Sequence, residues 1–486
     1  MINQIANGVN NGARSEKIRA IGCDPNEPRL QEIFTKILEL KSLASPIVCL
    51  PDLYIKARTE APASIATATK ETIVPTLSAP SLGCSMGVIK TSLKRSDFGP
   101  DFAKNFFTNM QDELGKYYDF WENITVWLGF KVRELKKYDL TEDDFEKIIR
   151  RGAKAAIKRY SFPDEILNNI EWGGSVYTEE ELKKLDLKKI LPRSSFTNGR
   201  HDLGYGFKGN HFLEIHAVED IFDAETARKW GLEKDQIVIF YHGGGGMVPY
   251  HVGRYYANRL KNNFKQKFFL RIGKVFFHLL SFDGIRNFKT RLRYYFFPDK
   301  FQEIDVSSEE GRRYLLAIKA SLNYSYAFNI AILARVRDAI NKTLPEKKAN
   351  VAPIWALVHN SIIKERLNGE EVFIHRHTLN RVEAGKPAIL SGFNNTISYM
   401  SIGLSAPQET LWSAEHGAGE NIKRFKNEGK TRELNFETTI IKTKPPYYVK
   451  VKHSSEEGVD YVMNNLENAG LMKRVLSIRP FASFKG

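Results

Sequence analysis

Residues 235–251 read DQIVIFYHGGGGMVPYH. The apolar run from Ile237 to Tyr241 has the length and the β-branched and aromatic content of a buried strand. It ends at His242 and passes into four glycines, Gly243 to Gly246. Those glycines read either as a turn that needs positive φ or as a row of bare amides able to cradle a phosphate. The same juxtaposition, a metal-capable side chain beside glycine or at the end of an apolar strand, recurs in SLGCSMGV (Cys84), GYGFKGNHFLEI (His211), WALVHNS (His359) and EHGAGE (His416). Histidine and thiolate together suit a borderline transition metal such as zinc, manganese or iron, and ligands scattered along a chain converge at strand ends. Taken singly, each is equally a hydrogen-bonded core residue. The joint pattern is what points to a site.

Outward from this stretch, VAPIWALVH and PAILSG read as further buried strands, whereas 104–118, 141–160 and 178–188 carry helical spacing and acidic starts. Helices and strands mix throughout, and neither a repeat nor a Pro- or Ser-rich linker marks a boundary, so one large domain is expected. The chain has 486 residues and 42% hydrophobic content, enough for a sizeable core. Its 72 Lys and Arg against 57 Asp and Glu give a net charge of +15, which favours a polyanionic partner: nucleic acid, nucleotide or an anionic membrane surface. The stretch at about 254–297 is the most basic and aromatic, and reads either as an RNA-facing arm or as a packed helical pair with a solvated charged face. The N-terminus lacks a signal-peptide core and no run of about 18 apolar residues appears, so a cytoplasmic location with no membrane partner is expected. Three cysteines, Cys23, Cys49 and Cys84, are too few for a disulfide framework. No Walker motif and no GxGxxG is present, which leaves ordinary NTP and dinucleotide folds without support.

Taken in order, LPDLY, LGCSMGV, GNHFLEIHAVED, SSEEGRRYLLAIKASLNYSYAFN, VHNS, IHRHTLNRVEAGKPAILSG, SYMSIG, EHGAG and the final RPFASFKG resemble the RtcB family of RNA-splicing ligases, from about Leu50 onward. The resemblance implies an α+β fold, a single large domain over 46–486 with β-sheets around a central metal and nucleotide cleft and peripheral helices, preceded by a weakly matched segment 1–45. It implies manganese and GTP as cofactors, and RNA as partner, whether tRNA halves or broken ends. Cys84, His211, His242 and His359 would be the manganese ligands. His416 would attack GTP and carry GMP, and Asn210, Glu214, Ser398 and Lys485 would hold the nucleotide, Lys485 at the guanine. RNA with a 3′-phosphate or 2′,3′-cyclic phosphate would then be joined to a 5′-hydroxyl end.

The chain departs from that pattern at several points. Ser81 replaces an aspartate before the ligand cysteine, which weakens a second metal. Glu420 stands where HGAG is followed by a cation, His377 occupies a lysine place, Tyr54 a histidine place and Phe393 a serine place, and the arginine expected near Gly246 is absent. These changes touch RNA-phosphate and second-metal positions and spare the nucleophile. Two further functions compete with the ligase: a catalytically weak RNA-binding or sensing paralogue, and a metal-dependent phosphodiesterase.

Overall fold

The strand expected at 235–242 forms as Gln236–Gly243 and lies inside a nine-stranded sheet. Ser85–Lys94 and Phe212–Ile221 flank it, both antiparallel. Beyond them come Val351–Val358 on one side, and Met472–Lys485, Ser398–Gly403 and Pro387–Leu390 on the other. A hairpin of Glu433–Thr443 and Pro446–Ser454 joins the end of Met472–Lys485 through a parallel pairing that sets Thr439 beside Ala482. The computed structural model describes residues 17–485 apart from 57–58, 79–81, 100, 115–124, 126–133, 205–206, 208–210, 258–263, 406–407 and 444–445. Ser81 and Asn210 lie outside the described residues.

Alternation along Gln236–Gly243 divides its side chains between two cores. Ile237, Ile239 and Tyr241 pack in one cluster and Val238 and Phe240 in another. Two-residue periodicity therefore puts His242 on the face of Val238 and Phe240. Gly87 on the neighbouring strand permits this packing, because a Cβ there would stand 2.2 Å from the Tyr241 hydroxyl that crosses it.

A second sheet has five strands in the order Ile18–Ala20, Ile47–Tyr54, Ala63–Thr69, Glu370–His377, Asn360–Leu367. The chain crosses between the sheets at one residue, His359, between Val351–Val358 and Asn360–Leu367. A ribbon of Leu379–Arg381 and Ser413–Glu415 ends at His416. The α+β class and the mixed sheets match the expectation.

The three expected helical segments are helical where they are described, two of them broken. Of the expected 104–118 helix, the described part runs from Phe102 to Leu114, and 115–118 lie outside the described residues. The 141–160 segment is two helices, Glu142–Arg151 and Ala153–Arg159, because Gly152 adopts φ 58° between them. The 178–188 segment likewise divides into Glu179–Lys184 and Leu187–Ile190, the second started by Asp186 accepting from Lys188 N at 3.0 Å.

The longest helix, Glu309–Thr343, is buried without interruption from Ala320 to Val336 and packs across Val351–Val358 and the helices at 102–114, 153–159 and 247–256. A helix buried on every side has no amphipathic period to announce it. Ser308 caps its start, accepting from Gly311 N at 3.0 Å. Two of its buried tyrosines anchor it to the neighbouring loops, Tyr324 donating to Asp202 and the Gly199 carbonyl and Tyr326 donating to Glu171, whereas the side chain of Asn329 is buried without a hydrogen bond.

The basic arm is partly core. Tyr256 stacks on Tyr314 with ring centroids 4.6 Å apart, and Arg291 and Tyr295 both bond Glu310 of the long helix. Arg271, Arg286, Lys289 and Arg293 stay exposed. Among the described residues no helix is long and apolar enough to cross a membrane, and all three cysteines are free.

Candidate functional site

Three strand ends and the inter-sheet crossing bring the expected ligands together. Cys84 precedes Ser85–Lys94, His211 precedes Phe212–Ile221, His242 is the penultimate residue of Gln236–Gly243 in register with Met86 and Phe212, and His359 follows Val351–Val358. Cys84 Sγ lies 3.3 Å from His211 Nε2 and 3.3 Å from His242 Nε2. The ligand atoms of these three side chains all fall within 4.8 Å of one another. His242 Nε2 in turn lies 3.3 Å from His359 Nε2.

The glycine loop fixes this cluster by close packing. A Cβ on Gly244 would be 2.9 Å from His211 Cε1, one on Gly243 would be 2.5 Å from Phe328, and one on Gly245, at φ 66°, would be 2.1 Å from the Gly83 carbonyl. Gly246 has φ 88° and a Cβ would reach Tyr324 at 2.6 Å, so no larger side chain fits at that position.

The cluster has the chemistry of a metal centre. Burial and neighbouring imidazoles hold His242 and His359 well below the usual histidine range, so both offer neutral lone pairs. The His359 Nδ1 atom is buried without a hydrogen bond. Burial pushes the Cys84 thiol up to about 12, against the pull of Lys56. A thiolate here therefore needs a cation at the sulfur, which metal binding supplies by displacing the proton. One thiolate and three imidazoles suit zinc or iron better than a hard oxygen-seeking ion.

His416 stacks on His359 with ring centroids 4.5 Å apart and planes 19° from parallel, and its centroid is 6.0 Å from that of His242. Burial and the Lys56 charge lower its pKa to about 4, with Asp52 opposing. The ring is thus neutral near pH 7, and Nδ1 has no hydrogen bond. The Glu415 carboxyl stands 3.5 Å from Nδ1, but burial raises it to about 8, so this pair of mainly neutral groups is not an ion pair. Glu415 instead accepts from Ser64 Oγ at 2.9 Å and from Asp52 N at 3.2 Å.

The loop after His416 is tied down at both ends. Ser391 N donates to the His416 carbonyl and Ala418 N to the Ser391 carbonyl, each at 2.9 Å. Ser398 supports this from behind, accepting from Gly392 N at 2.9 Å. Asp52 accepts from Glu420 N and Asn421 N at 2.9–3.1 Å, where Gly419–Asn427 begins, so the first amides of that helix are already occupied.

The remaining expected residues lie nearby with other partners. Glu214 is buried, accepting from Ser483 Oγ at 2.7 Å and meeting His216 Nε2 at 3.0 Å. Lys485 ends Met472–Lys485 opposite Lys442. His377 Nδ1 is held on the Pro62 carbonyl at 2.7 Å, and Phe393 leaves a Gly419 Cβ only 3.2 Å from its ring. Glu420 pairs with Lys423 at 3.4 Å.

Sequence reasoning assigned no role to Lys56, Asp52 or Glu415. Burial lowers Lys56 to about 8 while Cys84, Glu415 and Asp52 raise it, which places its ammonium within electrostatic reach of the cysteine and of His416. The only signals were the charges inside PDLYIK and EHGAG.

A profile of the family described as tRNA-splicing ligase RtcB matches residues 34–486. Among similar proteins, the tRNA-splicing ligase RtcB of Methanopyrus kandleri is 24% identical over 83% of this chain and 41% of its own length. That of Methanococcus maripaludis is 24% identical over 71% of this chain and 66% of its own length. The RNA-splicing ligase RtcB homolog 1 of Entamoeba dispar is 22% identical over 83% of this chain and 72% of its own length. The chain thus spans less than two thirds of the two archaeal relatives. A profile match running from residue 34 to residue 486 nonetheless settles the family question: the chain belongs to the tRNA-splicing ligase RtcB family.

Proposed function

We propose that this protein is an RNA ligase that joins a 3′-phosphate or 2′,3′-cyclic phosphate end to a 5′-hydroxyl end, using GTP and a GMP adduct on His416. The observation that carries this reading is a neutral imidazole with an unbonded Nδ1 stacked on one member of a Cys–His cluster. Relatives named as tRNA-splicing and RNA-splicing ligases support the substrate class.

Cys84, His211, His242 and His359 would hold manganese, which when bound neutralises phosphate charge and acidifies an attacking hydroxyl. A second ion would be held more weakly, because Ser81 offers no carboxylate. His416 would attack the α-phosphorus of GTP: an N–P bond forms, the bond to the β-phosphate oxygen breaks, pyrophosphate leaves, and the ring gives up its N–H proton. An oxygen of the RNA 3′-phosphate then attacks the same phosphorus, the N–P bond breaks and the ring takes back a proton, returning neutral His416. Finally the 5′-hydroxyl attacks the 3′-phosphorus, losing its proton, and GMP leaves. A cyclic phosphate would first be opened by water.

In this scheme Lys56 takes a phosphate oxygen beside His416. Asn210 contacts the nucleotide, and Ser398 positions the loop that bonds the His416 backbone. Glu214 ties the strand after His211 to the C-terminal strand through Ser483, two residues before the guanine-binding Lys485.

Incubating the protein with manganese and α-labelled GTP tests this. A covalent label stable in alkali, lost in mild acid and absent from His416→Ala is expected; Lys485→Ala should relax the preference for GTP over ATP. A second reading, a catalytically weak RNA-binding paralogue, is favoured by His377 bonded to Pro62 and Phe393 against Gly419. Absence of label with manganese demonstrably bound would select it.

A further inference from the structure

The described chain has 14 exposed large apolar side chains, and seven of them fall between Phe268 and Phe297. Scattered apolar residues at a surface need no explanation, but a concentration in one segment does. Ile272, Phe276 and Leu280 are 41%, 63% and 58% exposed and follow one another at four-residue steps along Phe264–Lys274 and the wider turn Val275–Leu279. Four-residue steps put them on one helix face. Ile285 and Phe288, at 68% and 46%, are exposed on the next two helices, and Phe297, at 72%, just after them.

The opposite face is anchored. Lys274 is buried and donates to the Tyr295 carbonyl at 3.0 Å, His278 stacks on Tyr295 at 3.9 Å, and Arg291 meets Glu310. This buried polar network holds the apolar stripe outward and prevents the arm from rolling over to hide it. Around the stripe Arg271, Arg286, Lys289 and Arg293 are exposed. Asp283, the one acid between Phe268 and Phe297, is engaged by Lys189 at 3.0 Å, and Asp299 just beyond stands 3.9 Å from Arg293.

We propose that the arm seats the protein on an anionic lipid bilayer, with Ile272, Phe276, Leu280 and Ile285 entering the headgroup–acyl boundary and Arg271, Arg286 and Lys289 meeting lipid phosphates. Exposed apolar side chains ringed by cations are the pattern of interfacial helices. RNA fits the cations and the rings of Phe268, Phe276, Phe288 and Phe297, but not Ile272, Leu280 and Ile285, which have no ring face to stack on a base and are the residues a bilayer boundary accepts. A second copy fits the apolar face but would bring two cationic rims together. The arm would lie on the bilayer surface without crossing it.

Flotation of the full chain with phosphatidylcholine vesicles, with and without phosphatidylserine, tests this. Binding is expected only with phosphatidylserine and should weaken with salt. Arg271, Arg286 and Lys289 changed together to Gln should lower affinity roughly a hundredfold, and Ile272, Phe276, Leu280 and Ile285 changed together to Ser should lower it at least about tenfold, with thermal unfolding unchanged in both variants. No flotation with either vesicle would overturn the proposal, as would flotation that survives the serine changes. Self-association abolished by those changes would assign the face to a second copy, and loss of RNA binding in their place would assign it to RNA.

Discussion

Gly244→Ala should loosen the proposed metal centre without unfolding the protein. The new Cβ would stand 2.9 Å from His211 Cε1 and 3.3 Å from His211 Nδ1. Carbon atoms in contact sit at about 3.5–4.0 Å, so the ring must retreat by roughly half an ångström or more. Metal–ligand distances tolerate only about 0.2 Å, so the displacement exceeds what coordination at Nε2 absorbs. A loss of about 10–100-fold in manganese affinity follows, the size typical of disturbing a group behind a ligand. Gly244 is not among the positive-φ glycines, so the backbone itself accepts alanine. Competition titration with a metal-binding dye would read the affinity, and calorimetry the stability. Gly243→Ala is the contrast: its Cβ would be 2.5 Å from Phe328 in the core, and overpacking there should cost about 1–3 kcal/mol of stability. Unaltered manganese affinity in Gly244→Ala, with the protein folded, would refute the idea that His211 is held as a ligand by this loop.

Three other outcomes are expected. Asp52→Ala should remove the acceptor from Glu420 N, Asn421 N and Asn421 Nδ2 and lower stability by about 2–4 kcal/mol in denaturant titration, with Asp52→Asn costing less. Glu171 is buried, accepting from Tyr326 and Val358 N with Arg381 and Arg376 nearby, and burial raises it to about 7. Its folded pKa exceeds the unfolded value of 4.5, so the native state holds the extra proton between these values and stability should fall as pH rises through about 4.5 to 7. Glu171→Gln should flatten that window, and an unchanged pH profile would remove Glu171 as its source. Ser81→Asp should strengthen binding of a second manganese equivalent, read by titration against Cys84→Ala, which should bind none; equal occupancy of two ions in the unaltered protein would count against the weakened second site.

The central strands were legible because their chemistry is local. Residues 235–242, 351–359 and 387–392 are short apolar runs that only a buried sheet accepts, and each formed within a residue or two of its expected ends. The candidate ligands were legible for a related reason: Cys84, His211, His242 and His359 interrupt such runs where polar groups have to be accounted for. The long helix Glu309–Thr343 was not marked, since its buried middle is surrounded on every side and shows no period. The breaks at Gly152 and before Leu187 needed a left-handed residue and a competing cap to be weighed against otherwise continuous helical spacing.

The sequence by itself determined which side chains bear chemistry and which runs must be buried, because those properties belong to single residues and their near neighbours. Only the tertiary structure decided how they meet. It brought Lys56 and Asp52, more than 350 residues earlier in the chain, to the loop of His416, and left Arg291 buried while its neighbours Lys289 and Arg293 face solvent. Charge and hydrophobicity are properties of a residue, but desolvation, which here holds His416 neutral and Cys84 protonated, is set by atoms that the fold gathers from every part of the chain.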